Sequence, residues 1–459
     1  MLSQKGDVRL LIGRSNARSS RMDPMIKRGF LFLVSGETIY ALYLLTPYFK
    51  EALNVSNGLI DLTVLFFVLS LVAAFVKVTR KPQIGKPLLI SLYVYAWFIV
   101  YVLINHFYVP NESVIYANDK LMRFLVFTTW SFFGVFIFID NRQSLKKFLL
   151  GVTLISLLSC AVSLGEFKSF YGGVVLNNYL AVGRIAGMGL IILLAAYPYD
   201  ESVKHKRLVA LGAVALMGFI ALSGSRMPLI SAIVSILILV VTRIKLNWQK
   251  RDIRIDTGTK TILKIIGLVV LLSMPLYLSG YFDGTIKRMT TLGEIEKGYD
   301  PTGRLYRYQV AMNMWKEHKW FGAGFGSFPI YYNSKDVAGY PHNIFLEVGS
   351  ELGIIGFLFL IFFLFFAFVQ AVGVYRKKFG QLDGYQTCVV ILLIFWILNS
   401  TTGLDLNGNR LLFTLIALCW LSPYLKDREE PSLRMNREIG WENIEIRFRN
   451  GDNRFKVST

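Results

Sequence analysis

The sequence predicts an all-α, polytopic integral membrane protein of about twelve transmembrane helices, with one large extracytoplasmic loop that contains an amphipathic helix. Three observations carry this. Of the 459 residues, 54% are hydrophobic and only 17% charged, more apolar material than one soluble core needs. The apolar residues come in long runs, and the basic residues gather in every second connection between those runs. A formal net charge of +20 would point to nucleic acid in a soluble chain; here it is read by position relative to a bilayer, and no nucleic-acid partner is expected.

Runs long enough to cross about 30 Å of hydrocarbon lie near 30–49, 59–76, 88–108, 121–139, 148–164, 184–199, 208–223, 228–242, 261–280, 344–374, 387–402 and 410–425. Before the first stands a basic leader with Arg14, Arg18, Arg21, Lys27 and Arg28 and no small-residue cleavage site, so it is not expected to be a signal peptide. The next basic connections hold Lys77, Arg80, Lys81 and Lys86, then Arg142, Lys146 and Lys147, then Lys204, Lys206 and Arg207. The series continues with Arg243, Lys245, Lys250, Arg251 and Arg254, then Arg376, Lys377 and Lys378, and ends in the tail. By the positive-inside rule these connections and both termini are cytoplasmic. The expected organisation is a cytoplasmic leader over 1–29, helices one to nine over 30–280, an extracytoplasmic subdomain over 281–343, helices ten to twelve over 344–425, and a cytoplasmic tail over 426–459.

The connection 281–343 is far longer than the others, and loops of that length are functional or disordered. Its centre, GRLYRYQVAMNMWKEH, repeats Leu305, Tyr308, Met312 and Trp315 at helical spacing, which suits a helix lying in the membrane interface. In the tail, Ile444, Ile446 and Phe448 alternate with charged residues ahead of Asn450-Gly451; this is either a hairpin or a solvated basic tail near anionic lipid. Cys160, Cys388 and Cys419 all fall in apolar runs, which indicates neither a disulfide framework nor a thiolate metal site.

The outer charges are few and therefore informative. Arg226, in LSGSRMPL, and Arg184, in AVGRIAGMG, place guanidinium groups at or near membrane depth, where an ionisable group costs about 2.5–3.5 kcal/mol unless paired or hydrated. Each either binds an anionic substrate or snorkels to lipid phosphate. Arg304 and Arg307, three apart on the loop helix, project to one side and suit a diphosphate; the plainer alternative is a basic face on an interfacial helix. Of the four histidines, His205 lies inside, His106 ends a helix among aromatics, and His318 sits among lysines. His342 precedes Asn343 and a helix bearing Glu347 and Glu351 on one face. An imidazole there either takes a proton from a hydroxyl or caps the helix. Glu347 and Glu351 are expected to be a buried pair, a partner for an arginine, or an orienter of His342, with support favoured over catalysis. Glu37 is an intramembrane carboxylate without an identifiable partner. GAGFGSF, residues 322–328, follows a helix rather than a strand and is expected to be a flexible turn, not a nucleotide-phosphate cradle. No metal-ligand spacing is present, and no cofactor is expected.

The stretches GRLYRYQVAMNMWKEHKWFGAGFGSF and HNIFLEVGSELGIIGFLF, with SGSR upstream, resemble the O-antigen ligase and polymerase family of bacterial membrane glycosyltransferases, over about 184–370. In that family a loop arginine precedes a Gly-rich turn, and His-Asn then opens a helix with Glu and Gly-x-x-Gly, here Glu351, Gly353 and Gly356. The resemblance implies His342 as the catalytic base, Arg304 as the loop arginine and Arg226 as the arginine of a Ser-Arg-Gly pattern, although Met227 stands where the glycine would be. Arg184 matches an arginine that is often followed by Asn-Pro-Asn, which RIAGMGLII lacks.

The resemblance further implies a polyprenyl-diphosphate-linked oligosaccharide donor, a glycan or lipid-core acceptor, the lipid bilayer, and a flippase and chain-length regulator as partners, in the bacterial inner membrane. Arginines would neutralise the leaving diphosphate and His342 would deprotonate an acceptor hydroxyl, in an inverting, metal-independent displacement. Polymerisation of repeat units is favoured over ligation to a lipid core. A protein-glycosylating relative remains as an alternative, as does a secondary transporter, although the paired broken helices and matching halves of transporters are not evident.

Overall fold

The computed structural model describes residues 29, 31–50, 61–80, 86–163, 167–170, 173–176, 179–199, 206–247, 252–255, 257–278, 303–374 and 384–426. The leader, His205, the first part of the large loop and the tail with its hairpin signature lie outside these residues.

Among the described residues, each of the twelve apolar runs forms a helix. The first nine are α1 (Gly36–Phe49), α2 (Leu62–Arg80), α3 (Lys86–His106), α4 (Asn111–Phe138), α5 (Arg142–Ser163), α6 (Tyr179–Ala195), α7 (Lys206–Ser223), α8 (Arg226–Arg243) and α9 (Thr257–Leu278). The loop contributes α10 (Arg304–Glu317) and the short α11 (Phe328–Asn333). The last three runs are α12 (Ile344–Phe368), α13 (Gly384–Ser400) and α14 (Arg410–Leu421). Among the described residues, six stretches are long and apolar enough to cross a membrane: α2, Leu88–His106 of α3, α4, α5, α8, and α12 with its continuation to Gly373. The chain is thus a polytopic membrane protein with six spans identified by length and composition. Of the other six runs, α6, α13 and α14 are apolar but shorter. Two small antiparallel hairpins accompany the helices: β1 (Phe167–Phe170) with β2 (Gly173–Leu176), and β3 (Ile244–Asn247) with β4 (Asp252–Ile255).

Burial sorts the helices into layers. α6 packs against α1, α5, α7, α8 and α13, and every residue from Ala181 to Ala195 is buried. A helix apolar all round has no face for water and belongs at the centre of a bundle. α2 lies at the edge, with Val68, Val72 and Phe75 exposed towards the hydrocarbon. The polar residues of α5 are satisfied inside their own helix: Thr153, Ser156, Ser159 and Ser163 each donate to the carbonyl four residues back. α4 carries a π turn at Phe124–Thr128, and α12 is broken at Gly353 (φ 65°, ψ −166°).

The break in α12 seats the large loop. Backbone groups that a continuous helix would use internally are bonded to the Gly-rich turn and the residues before it: Ala323 N–H donates to Ser350 O, Gly324 N–H to Glu351 O, and Ile354 N–H to Lys319 O. The Tyr101 hydroxyl of α3 donates to Leu352 O at 2.5 Å. At Gly322 (φ 75°) and Gly353 the two segments approach so closely that a Cβ on either would overlap the other's backbone. Residues 322–329 are all buried. The turn expected to be flexible is therefore a wedge driven into α12. α10 packs against α12 rather than floating in the interface; its buried residues are Ala311 and Met314, which join Ala323 and Phe328. Leu305 and Met312, expected on the apolar face, are exposed.

Gly353→Ala forces a methyl group against Trp320 at a left-handed φ, a cost of about 1–3 kcal/mol. Its unfolding temperature in detergent should fall by several degrees. Gly218→Ala, inside α7 with nothing near the added methyl, should leave the temperature unchanged or raise it; equal behaviour of the two variants would refute the wedge.

Candidate functional site

Lys120 fixes the geometry. It lies on α4 with Tyr116, Ala117 and Phe124 on the buried face, while Asp119 and Arg123 pair with each other on the exposed face. Its Nζ is fully buried, 2.6 Å from Glu347 Oε1 and 2.6 Å from Glu351 Oε2. The carboxylates reach further. Glu351 Oε2 accepts from Gly326 N–H at 2.9 Å, and Glu347 accepts from Leu406 N–H at 3.0 and 3.1 Å. Asn407 donates to Lys120 O at 3.0 Å. One cation thus ties together α4, both turns of α12 before its break, the Gly-rich wedge and the loop 401–409. Glu347 and Glu351 are a buried pair, as one expectation had it, but their partner is a lysine and not an arginine or His342. The loop also grips the start of α4, where Asp336 accepts from Ile115 and Tyr116 N–H at 2.8 and 2.9 Å.

On this frame His342 stands immediately before α12. Asn343 is the N-cap, its Oδ1 accepting from Phe345 and Leu346 N–H, so the capping role falls to the neighbour and leaves the imidazole unused by the helix. His342 has φ 63°, left-handed for a residue with a Cβ, and Leu404 in the facing loop has φ 70°. Such strain, about 1–3 kcal/mol per residue, persists where surrounding contacts impose it and gathers at functional sites. The His342 ring packs on Tyr340, centroids 4.3 Å apart. Its Nε2 lies 3.0 Å from Arg307 Nη1. A guanidinium only donates, so Nε2 carries the lone pair and the proton of the neutral ring sits on Nδ1.

The arginines converge from separate parts of the chain. Arg307 lies over the Tyr332 ring, 4.7 Å from Cζ to centroid, and also donates to Tyr340 O at 3.3 Å. Arg184 is only 5% exposed near the start of α6 and packs so tightly on Gly403 that a Cβ there would overlap its Nη2. The charges acting most strongly on His342 are Arg307, Arg304 and Arg184. Burial first, and then these three in that order, hold its imidazole at about 4, well below the usual range. Arg226 opens α8, whose Ser225 and Pro228 sit against Gly183 beside Arg184. The structure therefore brings Arg304, Arg307, Arg184 and His342 into one electrostatic cluster and sets Arg226 at its edge. Of the remaining histidines described, His106 Nε2 meets Asn118 at 2.9 Å and His318 Nε2 meets the Tyr331 hydroxyl at 3.1 Å.

Glu37 lies at the other end of the bundle and has a partner after all: Lys77, 3.9 Å away, which also lies 3.5 Å from Asp140 and donates to Phe138 O at 2.8 Å. Glu37, Lys77 and Asp140 line a cavity of about 550 Å³ whose lining does not include His342. The sequence reading missed Lys120, whose signal was present: Tyr116, Ala117, Lys120 and Phe124 fall on one helical face, with the charged residues opposite.

Residues 211–361 match the family model described as O-antigen ligase, which supports membership of the O-antigen ligase and polymerase family. The match spans Arg226, Arg304, Arg307, His342, Glu347 and Glu351; Lys120, Arg184 and Arg410 lie outside it. No curated protein matches the chain.

Lys120→Met would leave two carboxylates buried without their cation, a loss of about 3–5 kcal/mol. Its detergent-solubilised unfolding temperature should drop sharply. Adding Glu347→Gln and Glu351→Gln should recover part of the loss, because no unpaired charge then remains; a triple variant no more stable than the single one would contradict the triad's role.

Proposed function

We propose that the chain is a membrane glycosyltransferase that moves an oligosaccharide from a polyprenyl-diphosphate carrier to a hydroxyl on a second lipid-linked repeat unit, building a polysaccharide on the outer face of the cytoplasmic membrane. The observation that carries this is the convergence of Arg184, Arg304 and Arg307 on a neutral His342. A second acceptor, the lipid core of a lipopolysaccharide, is favoured by the description of the matched family, O-antigen ligase.

The chemistry follows from charges and lone pairs. The donor brings its own leaving group, so catalysis needs only to stabilise the developing diphosphate charge and to remove one proton. The acceptor oxygen attacks the anomeric carbon from the face opposite the diphosphate, and the bond to the diphosphate oxygen breaks with inversion. The hydroxyl proton passes to His342 Nε2 and later to water, while guanidinium forks hold the departing phosphate oxygens. Glu347, Glu351 and Asn343 position the start of α12 and touch no reacting atom.

Arg307 Nη1 donates to the His342 Nε2 lone pair, and the guanidinium charges depress its basicity. A bound diphosphate draws Arg307 towards its oxygens and offsets the positive field. Both effects free the lone pair and raise the imidazole's affinity for a proton. The base is thus switched on by the donor it serves.

The direct test supplies purified protein with a defined polyprenyl-diphosphate oligosaccharide, with and without lipid core, and measures product size. Growth of the oligosaccharide without lipid core supports polymerisation; transfer only when lipid core is present supports ligation, and no transfer in either arm counts against both. His342→Ala should lower kcat by at least about a hundredfold, the low end of what a positioned general base supplies, while donor binding persists. For pH dependence the sign is fixed: His342 acts only when neutral, so activity falls as pH drops through its pKa. The acid limb of kcat/KM, which reports the free enzyme, should sit near the depressed value of about 4. The limb of kcat, which reports the complex, should sit at higher pH. Coincident limbs would remove the donor-switched base.

A further inference from the structure

Arg410 opens α14 directly after the loop 401–409 that carries Gly403 and Leu406. Its guanidinium carbon lies 4.7 Å from the Phe127 ring centroid and 5.7 Å from that of Tyr43. Phe127 stands in the π turn of α4, and its carbonyl accepts from the Tyr43 hydroxyl at 2.6 Å. The aromatic rings therefore fix the guanidinium while using none of its N–H donors. Its Nε and Nη1 are buried and have no hydrogen-bond partner among the described residues. A charged group left so at membrane depth is costly and calls for an explanation. Asp405 Oδ1, in the same loop, accepts from Gly408 N–H at 2.7 Å.

The same condition recurs on the other side of the loop. Arg184, 5% exposed against Gly403, has a buried Nε without a partner, and so has Arg307. Tyr48, whose hydroxyl donates to Gly408 O at 3.3 Å, lies within the electrostatic field of both Arg184 and Arg410. Arg184 and Arg410 flank one loop, and each keeps a buried donor without a partner among the described residues, as Arg307 does beside His342, whereas Lys120, the structural cation, spends its charge on two carboxylates. Unspent forks of this kind fit a ligand with acceptor oxygens spread over more than one centre.

We propose that Arg410 is a substrate-binding residue that grips the donor's diphosphate together with Arg184, so that the anion site extends from Arg304 and Arg307 across the loop 401–409 to α14. The claim rests on the glycosyl transfer proposed above for its kinetic consequences, but not for binding itself. It places a diphosphate ligand outside the segment that matches the family model.

The test uses the full-length protein in detergent, with inorganic diphosphate as probe. Diphosphate should raise the unfolding temperature of the wild type, and Arg410→Gln should bind it at least tenfold more weakly. Arg410→Lys, which keeps the charge and loses the fork, should fall between. In the transfer assay Arg410→Gln should raise the donor KM at least tenfold and leave the acceptor KM unchanged. Unaltered diphosphate binding by Arg410→Gln overturns the proposal, as does a rise confined to the acceptor KM, which would assign Arg410 to an anionic group of the acceptor. Failure of both variants to fold would make Arg410 a structural residue and equally overturn it. If the wild type binds diphosphate but transfers no glycan, the glycosyltransferase proposal fails while the binding measurements still decide Arg410.

Discussion

The buried ion triad of Lys120, Glu347 and Glu351 is the constraint on which the rest of the structure depends. A single ammonium group in a dry interior holds two carboxylates at 2.6 Å each, and removing it would leave uncompensated negative charge where water cannot reach it. Because the carboxylates also accept from Gly326 and Leu406 N–H, the triad orders two loops as well as two helices. It gives register, setting where the break in α12 meets the Gly-rich wedge. A purely apolar contact at that place would resist sliding less, since dispersion is non-directional and ion pairs are not.

That register determines where the reactive groups stand. The loop containing α10 is seated by backbone bonds into the break of α12, which aims Arg304 and Arg307 at His342. The loop 401–409, held by Glu347, carries Gly403 against Arg184 and delivers Arg410 at its end. Positive φ at His342 and Leu404 marks segments beside the site that are forced rather than relaxed. The frame is thus anionic and internally paired, and the face it supports is cationic and incompletely paired. This separation of paired from unpaired charge distinguishes supporting residues from those that meet substrate.

Much of this was legible in the residues. His342, Asn343, Arg304 and Arg307 sit within one loop and its following helix, so spacing along the chain reveals their neighbourhood. The carboxylates of α12 were recognisable as buried because Glu347 and Glu351 share a face with apolar residues. Lys120 escaped because it lies just outside the apolar run, where a lysine looks like a helix-end charge; only its place among Tyr116, Ala117 and Phe124 identifies it as inward-facing. Arg410 escaped because, as the first residue of the last apolar run, it looks like an ordinary helix-end charge. GAGFGSF looked flexible because glycine permits many conformations, yet here each permitted conformation is imposed by a neighbour.

By itself the sequence determined the helical class, the order of the apolar runs, the large loop and its candidate base, because hydropathy, charge asymmetry and helical spacing are local properties that survive without a fold. Only the tertiary structure decided which charges are spent and which are kept: Lys120 paired, Glu37 beside Lys77, Arg307 on the His342 lone pair, and Arg184 and Arg410 each with a buried N–H that has no partner among the described residues. Pairing is a matter of distances of about 3 Å between groups hundreds of residues apart, and no periodicity along a chain records them.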